Sequence, residues 1–271
     1  MKTDIDVTVI MSVYNCGKYL PEAIESILNQ TFRKLEIVIC DDCSKDNTFK
    51  VAMDYARRNP GRILVLRNGR NRGQAYARNR CIAKARGRYI AIMDGDDSCS
   101  PLRIEKEMAF LRANPAYDYV GTWMRLFDDK GFWGEVRYNR EPDREEYVRT
   151  MPYCAASCLF RKEALLAIGK YDEHIKYRRV EDFRMMLSLL TAGYIGYNLQ
   201  EPLYYYREGA EAYQRRSLRY RFNASGANFE AMKELNLSAA NMIHVIRPIA
   251  VGMVPKPIYV AVHRTLRRTK K

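Results

Sequence analysis

Four short apolar runs, each leading into polar or acidic residues, constrain this chain more than any other feature. They are Val7–Val13, Leu35–Cys40, Ile63–Leu66 and Tyr89–Met93. Each is too short for a helix and carries β-branched residues, as a strand buried inside a parallel sheet does. Between them lie stretches with helical spacing. Pro21 suits the first turn of a helix with Ile24, Ile27 and Leu28 on one face. Asp46 can cap a helix towards Arg58, which Asn59-Pro60-Gly61 stops. Asn71-Arg72-Gly73 opens a helix from Gln74 to Ala85, closed by Gly87. Strand and helix alternate three times before the fourth strand. This pattern predicts an α/β fold: a Rossmann-like, mostly parallel sheet with helices on both faces.

In open sheets of this kind, ligands bind at the carboxyl ends of the strands. Tyr14 and Asn15 follow the first strand, Asp41 and Asp42 the second, and Asp94, Asp96 and Asp97 the fourth. They converge on a nucleotide-sized cleft. Asp94-Gly95-Asp96-Asp97 would repel one another unless a cation came between them. Mg²⁺ takes one or two carboxylates plus substrate phosphates. The plainer reading is an acid-rich turn in which Asp96 or Asp97 caps the next helix. Neither G-x-G-x-x-G nor G-x-x-x-x-G-K-[ST] occurs, which excludes a dinucleotide oxidoreductase and a P-loop NTPase.

The second half is less regular and more aromatic, which suits an acceptor-binding role. Ser100-Pro101 starts a helix with Ile104, Met108 and Leu111 inward. Tyr119–Phe127 and Phe132–Tyr138 flank a hairpin turn at Asp128-Asp129-Lys130-Gly131, and Asp143 caps a short helix. Cys158–Phe160 reads as a strand, followed by a helix to Ile168 with Gly169 as its stop. Glu181-Asp182 begins a helix through Leu190, where two acids favour the helix dipole whatever else they do. Two strands, Tyr194–Leu199 and Leu203–Arg207, surround Glu201-Pro202.

With 271 residues, 47% of them hydrophobic, the chain can bury a full core. No stretch resembles a signal peptide or reaches the length of a spanning helix. Seven cysteines, an odd number, suggest reduced thiols in a cytosol. Cys40-x-x-Cys43 and Cys154-x-x-x-Cys158 lack partner pairs at zinc-finger spacing, so packed small side chains are expected. The net charge of +14 is uneven. Residues 1–208 hold 34 Lys/Arg against 29 Asp/Glu, and residues 209–271 hold 12 against 3. Met242–Lys271 has seven Lys/Arg and no acid, with apolar residues interleaved. Pro248, Pro255 and Pro257 break it into short basic amphipathic helices suited to lying on an anionic membrane. The alternative is a helical appendage packed on the domain or on a second subunit, which makes a homodimer conceivable. No nucleic-acid-binding module is recognisable, and no nucleic acid partner is expected.

The ordered strings resemble a known family. They are Val9-Ile-Met-Ser-Val-Tyr-Asn15, Val38-Ile-Cys-Asp-Asp-Cys-Ser-Lys-Asp-Asn-Thr48, Asn71-Arg-Gly-Gln-Ala-Tyr-Ala-Arg-Asn79 and Gly87-Arg-Tyr-Ile-Ala-Ile-Met-Asp-Gly-Asp-Asp97. Phe160-Arg161, Gly169-Lys-Tyr-Asp-Glu173 and Glu181-Asp182 complete the set. From residue 5 to about 207 the chain resembles inverting glycosyltransferase family 2, of GT-A fold. Cys43 stands where that family often has Gly, and Gly95 where it usually has Ala. After Arg207 the family's loop pattern gives way to Glu208-Gly-Ala-Glu-Ala-Tyr213.

The resemblance implies a division of labour. Asp42, with Asp41 as second candidate, would receive the base or ribose of a nucleotide sugar, and Asp94 would lie near the ribose. Val13, Tyr14, Asn15, Gly73 and Gly95 would line the same donor site. Arg78 would face the nucleotide or its phosphates. Asp96, with Asp97, would hold Mn²⁺ or Mg²⁺. Asp182 would be the general base, with Glu181 the second candidate. The implied reaction moves a sugar from a nucleotide-diphosphate donor, a UDP-sugar first, to a hydroxyl of a glycan or polyprenyl-linked acceptor. The implied setting is cell-surface polysaccharide synthesis, at the inner face of the plasma membrane. The domain would span residues 1–208, divided into a donor half (1–100) and an acceptor half (101–208), with 209–271 as the basic helical tail. Two other classes remain: a non-catalytic nucleotide-sugar or glycan-binding module of the same fold, and a nucleotidyltransferase that releases pyrophosphate.

Overall fold

The computed structural model describes residues 5–209 and 218–267. Ala210–Tyr213, the end of the segment that departs from the family pattern, lies outside the described residues, as do the basic residues after Arg267.

The first half alternates as the apolar periodicity predicts. Its elements are β1 (Val7–Val13), α1 (Leu20–Leu28), β2 (Leu35–Asp41), α2 (Thr48–Arg58), β3 (Ile63–Arg67), α3 (Gln74–Lys84) and β4 (Tyr89–Ile92). The strands lie in the order β3-β2-β1-β4, and every pair is parallel. Every residue of β2 is buried, and only Ser12 of β1 is not. The register sets Val13 beside Asp41, so the polar ends of these strands finish level. α2 begins later than Asp46 suggests. Asp46 precedes the cap and instead accepts from the backbone N–H of Thr48 (3.0 Å) and of Gly17 (3.0 Å), tying the turn after β1 to α2.

The second half contributes β5 (Ser98–Cys99), α4 (Arg103–Ala113), β6 (Tyr119–Asp128), β7 (Gly131–Val136), α5 (Arg144–Arg149), β8 (Leu159–Arg161), α6 (Lys162–Ala167), α7 (Glu181–Thr191) and β9 (Gly196–Arg207). Here the parallel pattern gives way to a mixed one. β8 pairs antiparallel with β4 and β6, while β6 runs parallel to β9. The two strands expected around Glu201-Pro202 are one strand, β9, whose register against β6 shifts where Trp123 faces Pro202. Proline has no N–H to give the ladder, so the chain slips there and resumes pairing. Asp143 caps α5 by accepting from the Glu146 N–H at 2.9 Å. Gly169 (φ +79°) and Gly193 (φ +85°) end α6 and α7 in the left-handed conformation that glycine adopts without penalty.

One charged pair sits inside this half. Arg103 and Glu107 on α4 are both fully buried, 3.0 Å apart. Arg103 also donates to the carbonyls of Ile92 (3.1 Å) and Ala156 (3.0 Å). Burial pushes the Glu107 carboxyl up to about 7 against the pull of Arg103, and its Oε2 has no hydrogen-bond partner. All seven cysteines are free, and Cys40, Cys81, Cys99 and Cys158 are packed in the core.

The basic region folds as α8 (Leu218–Glu234), α9 (Met242–Met253) and α10 (Lys256–Arg267). α8 packs on α5 and α7 and places Ala227 and Ala231 in the main core. α9 packs on α8, burying Val245, while α10 lies against β7 and pairs Arg264 with Asp128 at 2.9 Å. The outer faces remain apolar: Ile243, Ile246 and Met253 on α9 are 57–75% exposed, and Ile258, Val262 and Leu266 on α10 are 53–78% exposed. No described helix is long and apolar enough to cross a membrane.

Candidate active site

A cavity of about 520 Å³ opens at the carboxyl ends of β1, β2 and β4, closed on its other side by the start of α7. Val13, Tyr14, Asn15, Asp42, Gly73, Asp94, Gly95, Asp96 and Glu181 line it, and Asp41, Arg78, Asp97 and Asp182 do not.

Asp41 and Asp42 are separated by strand alternation. The Asp41 side chain is fully buried beside Arg67 (3.1 Å). This places it under the cleft, away from any nucleotide, because the last residue of β2 points into the sheet's packing. Asp42 is held by the opposite loop: Oδ1 accepts from Asn68 Nδ2 (2.7 Å) and the Arg72 N–H (2.9 Å), and Oδ2 from the Gly73 N–H (2.8 Å). The next residue, Cys43, adopts φ +63°. The loop therefore turns as glycine would turn it, with a Cβ at a position that disfavours one. Asn15 (φ +50°) joins the β1 and β2 loops: its N–H donates to Ser44 Oγ (3.0 Å) and its Oδ1 accepts from the Lys45 N–H (2.8 Å).

Arg78 departs from its expected place. The family resemblance implied a side chain facing the nucleotide or its phosphates, yet it is wholly buried beneath the cleft. Its Nη2 pairs with Asp94 Oδ1 at 2.9 Å, and its Nη1 pairs with Asp182 Oδ1 and meets the Tyr171 hydroxyl at 3.2 Å. Tyr171 in turn donates to Asp182 Oδ1 at 3.0 Å, and Gln74 Nε2 donates to Asp94 Oδ1 at 3.2 Å. Burial opposes the Arg78 charge, but Asp182, Tyr171 and Asp94 more than offset it and hold its pKa well above the ordinary value.

The acid pair on α7 is correspondingly perturbed. Burial raises the Asp182 carboxyl above its usual range, with Arg78 pulling the other way and Asp94 adding to the rise. Its side chain keeps 27% exposure, and the contacts from Arg78 and Tyr171 both fall on Oδ1. Glu181 is 6% exposed, and burial followed by repulsion from Asp182 raises its carboxyl too. Its Oε2 has no hydrogen-bond partner.

Asp97 sits behind the loop. Oδ2 accepts from the Tyr204 hydroxyl and Oδ1 from the Arg207 N–H, both at 2.7 Å, and burial pushes its carboxyl well up. Arg207 Nε also donates to the carbonyl of Asp96 at 2.9 Å. Asp97 thus anchors the loop, and Asp96 is the acid that reaches the cleft wall. Among the described residues no group of three or more His, Cys, Asp or Glu is arranged to hold a metal by itself. A single cleft carboxylate close to Asp94 fits a hard cation completed by substrate phosphates.

Further residues that line the cleft include Tyr19, Tyr206, Arg178 and Arg179. The arginines carried one legible signal, a basic dipeptide two residues ahead of the acid pair. Gln74 lines the cleft as well. Tyr171, Tyr204 and Arg207 act from behind, held to the site by Asp182, Asp97 and the Asp96 carbonyl.

Comparison with known proteins gives first a class. The mannosyltransferase PcManGT from Pyrobaculum calidifontis, solved in complex with GDP-Man and Mn²⁺, superposes with a TM-score of 0.66 at 18% identity, over 96% of this chain and 79% of that one. The fold is that of the GT-A glycosyltransferases. The profile of glycosyl transferase family 2 matches residues 8–169. EpsE of Bacillus subtilis (strain 168) is 35% identical over 264 residues, covering 97% of this chain and 95% of that one. WfaP of Escherichia coli, named a UDP-Glc:alpha-D-GlcNAc-diphosphoundecaprenol beta-1,3-glucosyltransferase, is 28% identical over 201 residues, covering 74% and 76%. The chain belongs to glycosyl transferase family 2 and is a glycosyltransferase.

Proposed function

We propose that this glycosyltransferase moves a sugar, with inversion, from a nucleotide-diphosphate donor to a hydroxyl of a glycan or polyprenyl-linked acceptor during cell-surface polysaccharide synthesis. The observation that carries the reading is the opposition of two acid groups across one cleft. Asp42, Asp94 and Asp96 stand at the strand ends, and Glu181-Asp182 begin the facing helix. Arg78 joins the two groups from below. The donors named for WfaP and PcManGT, UDP-Glc and GDP-Man, support a nucleotide sugar, and a UDP-sugar is our first choice.

In this reading Asp42 receives the base or ribose and Asp94 lies near the ribose. Asp96 would hold Mn²⁺ or Mg²⁺, which when bound offsets the charge growing on the leaving diphosphate. Asp182 takes the acceptor's proton. Its raised pKa makes it a stronger base than an ordinary aspartate, while Arg78 pulls towards the ionised form. Glu181, which lines the cleft beside it, is the second candidate for that base. Direct displacement needs one base and no protein nucleophile, and it inverts the anomeric carbon through an oxocarbenium-like transition state.

The catalytic domain in this proposal is 1–208, with donor (1–100) and acceptor (101–208) halves. The tail, 209–271, seats the enzyme on the inner face of the plasma membrane. Support comes from the outward apolar faces of α9 and α10, the exposed Arg247 on α9 and the lack of acids after Glu234. Each Lys or Arg near an anionic leaflet adds about 1 kcal/mol.

The test is incubation of the purified protein with UDP-sugars, Mn²⁺ and lipid-diphosphate acceptors. The expected products are a nucleoside diphosphate and a glycoside of inverted configuration. Pyrophosphate release would instead indicate a nucleotidyltransferase, and donor binding without transfer or hydrolysis a binding module.

A further inference from the structure

We infer that Arg178 and Arg179, on the turn ahead of α7, form a diphosphate-binding subsite, and that α8 holds them in place. The inference rests on the nucleotide-sugar reading above and names a part of its site.

The charge on the cleft wall argues for it. The lining contains four carboxylates, Asp42, Asp94, Asp96 and Glu181, and among the described residues its cationic side chains are Arg178 and Arg179. Arg78, the expected counter-charge, is consumed underneath by Asp94 and Asp182. Among the described residues, a diphosphate entering this cleft meets like charge on the strand ends and opposite charge on this turn. Both guanidinium groups are exposed, and neither has a carboxylate partner among the described residues. Arg178 reaches across the cleft mouth to Asn71 Oδ1 at 3.4 Å. It thereby bridges the α7 side to the loop that grips Asp42. Two planar donor groups on adjacent residues match the oxygens of a diphosphate.

The turn is built to present them. Arg179 lies at φ +71°, a left-handed conformation disfavoured for any residue with a Cβ. Backbone strain of this kind persists where the surroundings enforce it. Here α8 enforces it. Asn223 Nδ2 donates to the Arg178 carbonyl at 2.9 Å, and the Arg179 guanidinium lies 5.7 Å from the Tyr220 ring. Glu230 of α8 accepts from Tyr177 (2.7 Å) and Lys176 (2.9 Å) just before the pair.

The diphosphate has two possible sources, the donor nucleotide and a lipid-diphosphate acceptor, and the experiment separates them. Calorimetry with Mn²⁺ measures UDP and uridine binding to the full-length protein, to Arg178→Ala/Arg179→Ala and to Arg178→Lys/Arg179→Lys. KM is then measured for a lipid-diphosphate acceptor and for an uncharged glycan acceptor. Unchanged thermal melting establishes folding. A donor-side subsite predicts UDP affinity lowered at least tenfold in the alanine variant, the loss expected of hydrogen bonds to a charged group, with uridine unaffected and partial rescue by lysine. An acceptor-side subsite predicts unchanged UDP affinity and a tenfold rise in KM for the lipid-diphosphate acceptor alone. Asn223→Ala reports the role of α8: it should weaken diphosphate binding in the wild type and add nothing to the alanine variant. UDP affinity and both KM values unchanged in the alanine variant overturn the inference while the transferase reading stands. Failure of the wild type to bind any nucleoside diphosphate overturns both.

Discussion

Arg78 and Asp182, 104 residues apart in sequence, share an ion pair beneath the cleft, and the same guanidinium holds Asp94. A strand-end acid and the acid proposed as base are thus set in register by one buried cation. Arg78→Met should lower stability by about 2–4 kcal/mol, since losing one partner strands the charge of the others. It should reduce transfer more than a hundredfold. Urea unfolding and initial rates measure the two effects, and native stability with native rates would contradict the arrangement.

The acid limb of the rate profile should report Asp182. Burial raises its pKa in the folded protein, so activity is lost on acidification at a higher pH than an ordinary aspartate would give. The Tyr171 hydroxyl stabilises the ionised form at 3.0 Å. Removing it disfavours the carboxylate, so Tyr171→Phe should move the limb to still higher pH. A shift towards lower pH would exclude Asp182 as the group responsible. Asp182→Asn should lower kcat by about 10²–10⁴ with donor affinity retained.

Asp96 and Asp97 should behave differently despite their adjacency. Asp96→Ala should cost at least about a hundredfold in transfer and abolish the response to Mn²⁺, with folding retained. Asp97→Asn keeps an acceptor for the Arg207 N–H and a donor for Tyr204, so it should leave stability within about 1 kcal/mol and metal response unchanged. Titration of rate against Mn²⁺ for both variants decides whether the ion meets one carboxylate or two.

Glu107 gives a stability signature away from the cleft. Its carboxyl titrates at about 7 in the folded protein against 4.5 ordinarily. Between those values the folded chain holds a proton that the unfolded chain has released. Its contribution is therefore favourable below that window and is lost as pH rises through it, by about 3 kcal/mol. Glu107→Gln should remove this slope. Equal slopes in unfolding free energy from pH 4.5 to 7 would refute the assignment.

Ile246→Glu with Met253→Glu should reduce binding to anionic vesicles at least tenfold while leaving transfer to a soluble acceptor unchanged. Co-sedimentation checks the first and product formation the second. Undiminished sedimentation would leave the outward stripes of α9 and α10 without a lipid partner.

The parallel half of the fold could be read from its apolar runs because both faces of β1 and β2 are buried, leaving little room for polar residues. β8 was legible as a strand to within a residue, but its antiparallel pairing with β4 and β6, and the slip of β9 at Pro202, depend on neighbours distant in sequence. The same limit applied to the site. Asp42, Asp94 and Asp96 follow strands and were legible. Arg78 was expected at the nucleotide and instead lies beneath the cleft, because its partners lie 16 and 104 residues away. Asp41 and Asp97 resemble their neighbours in sequence and differ from them in which way the chain points them. The positive φ of Arg179 leaves no trace in composition or spacing.

The contacts from Glu230 and Asn223 to the turn before α7 bear on how such chains can recombine. The family profile ends at residue 169, and the last strand at Arg207 looks like a natural seam. A chimera cut at that strand would keep the acid pair but release the arginine turn from the helix that braces it. The inheritable unit runs through Glu234, so exchanges of C-terminal segments between relatives should loosen the arginine turn at the cleft.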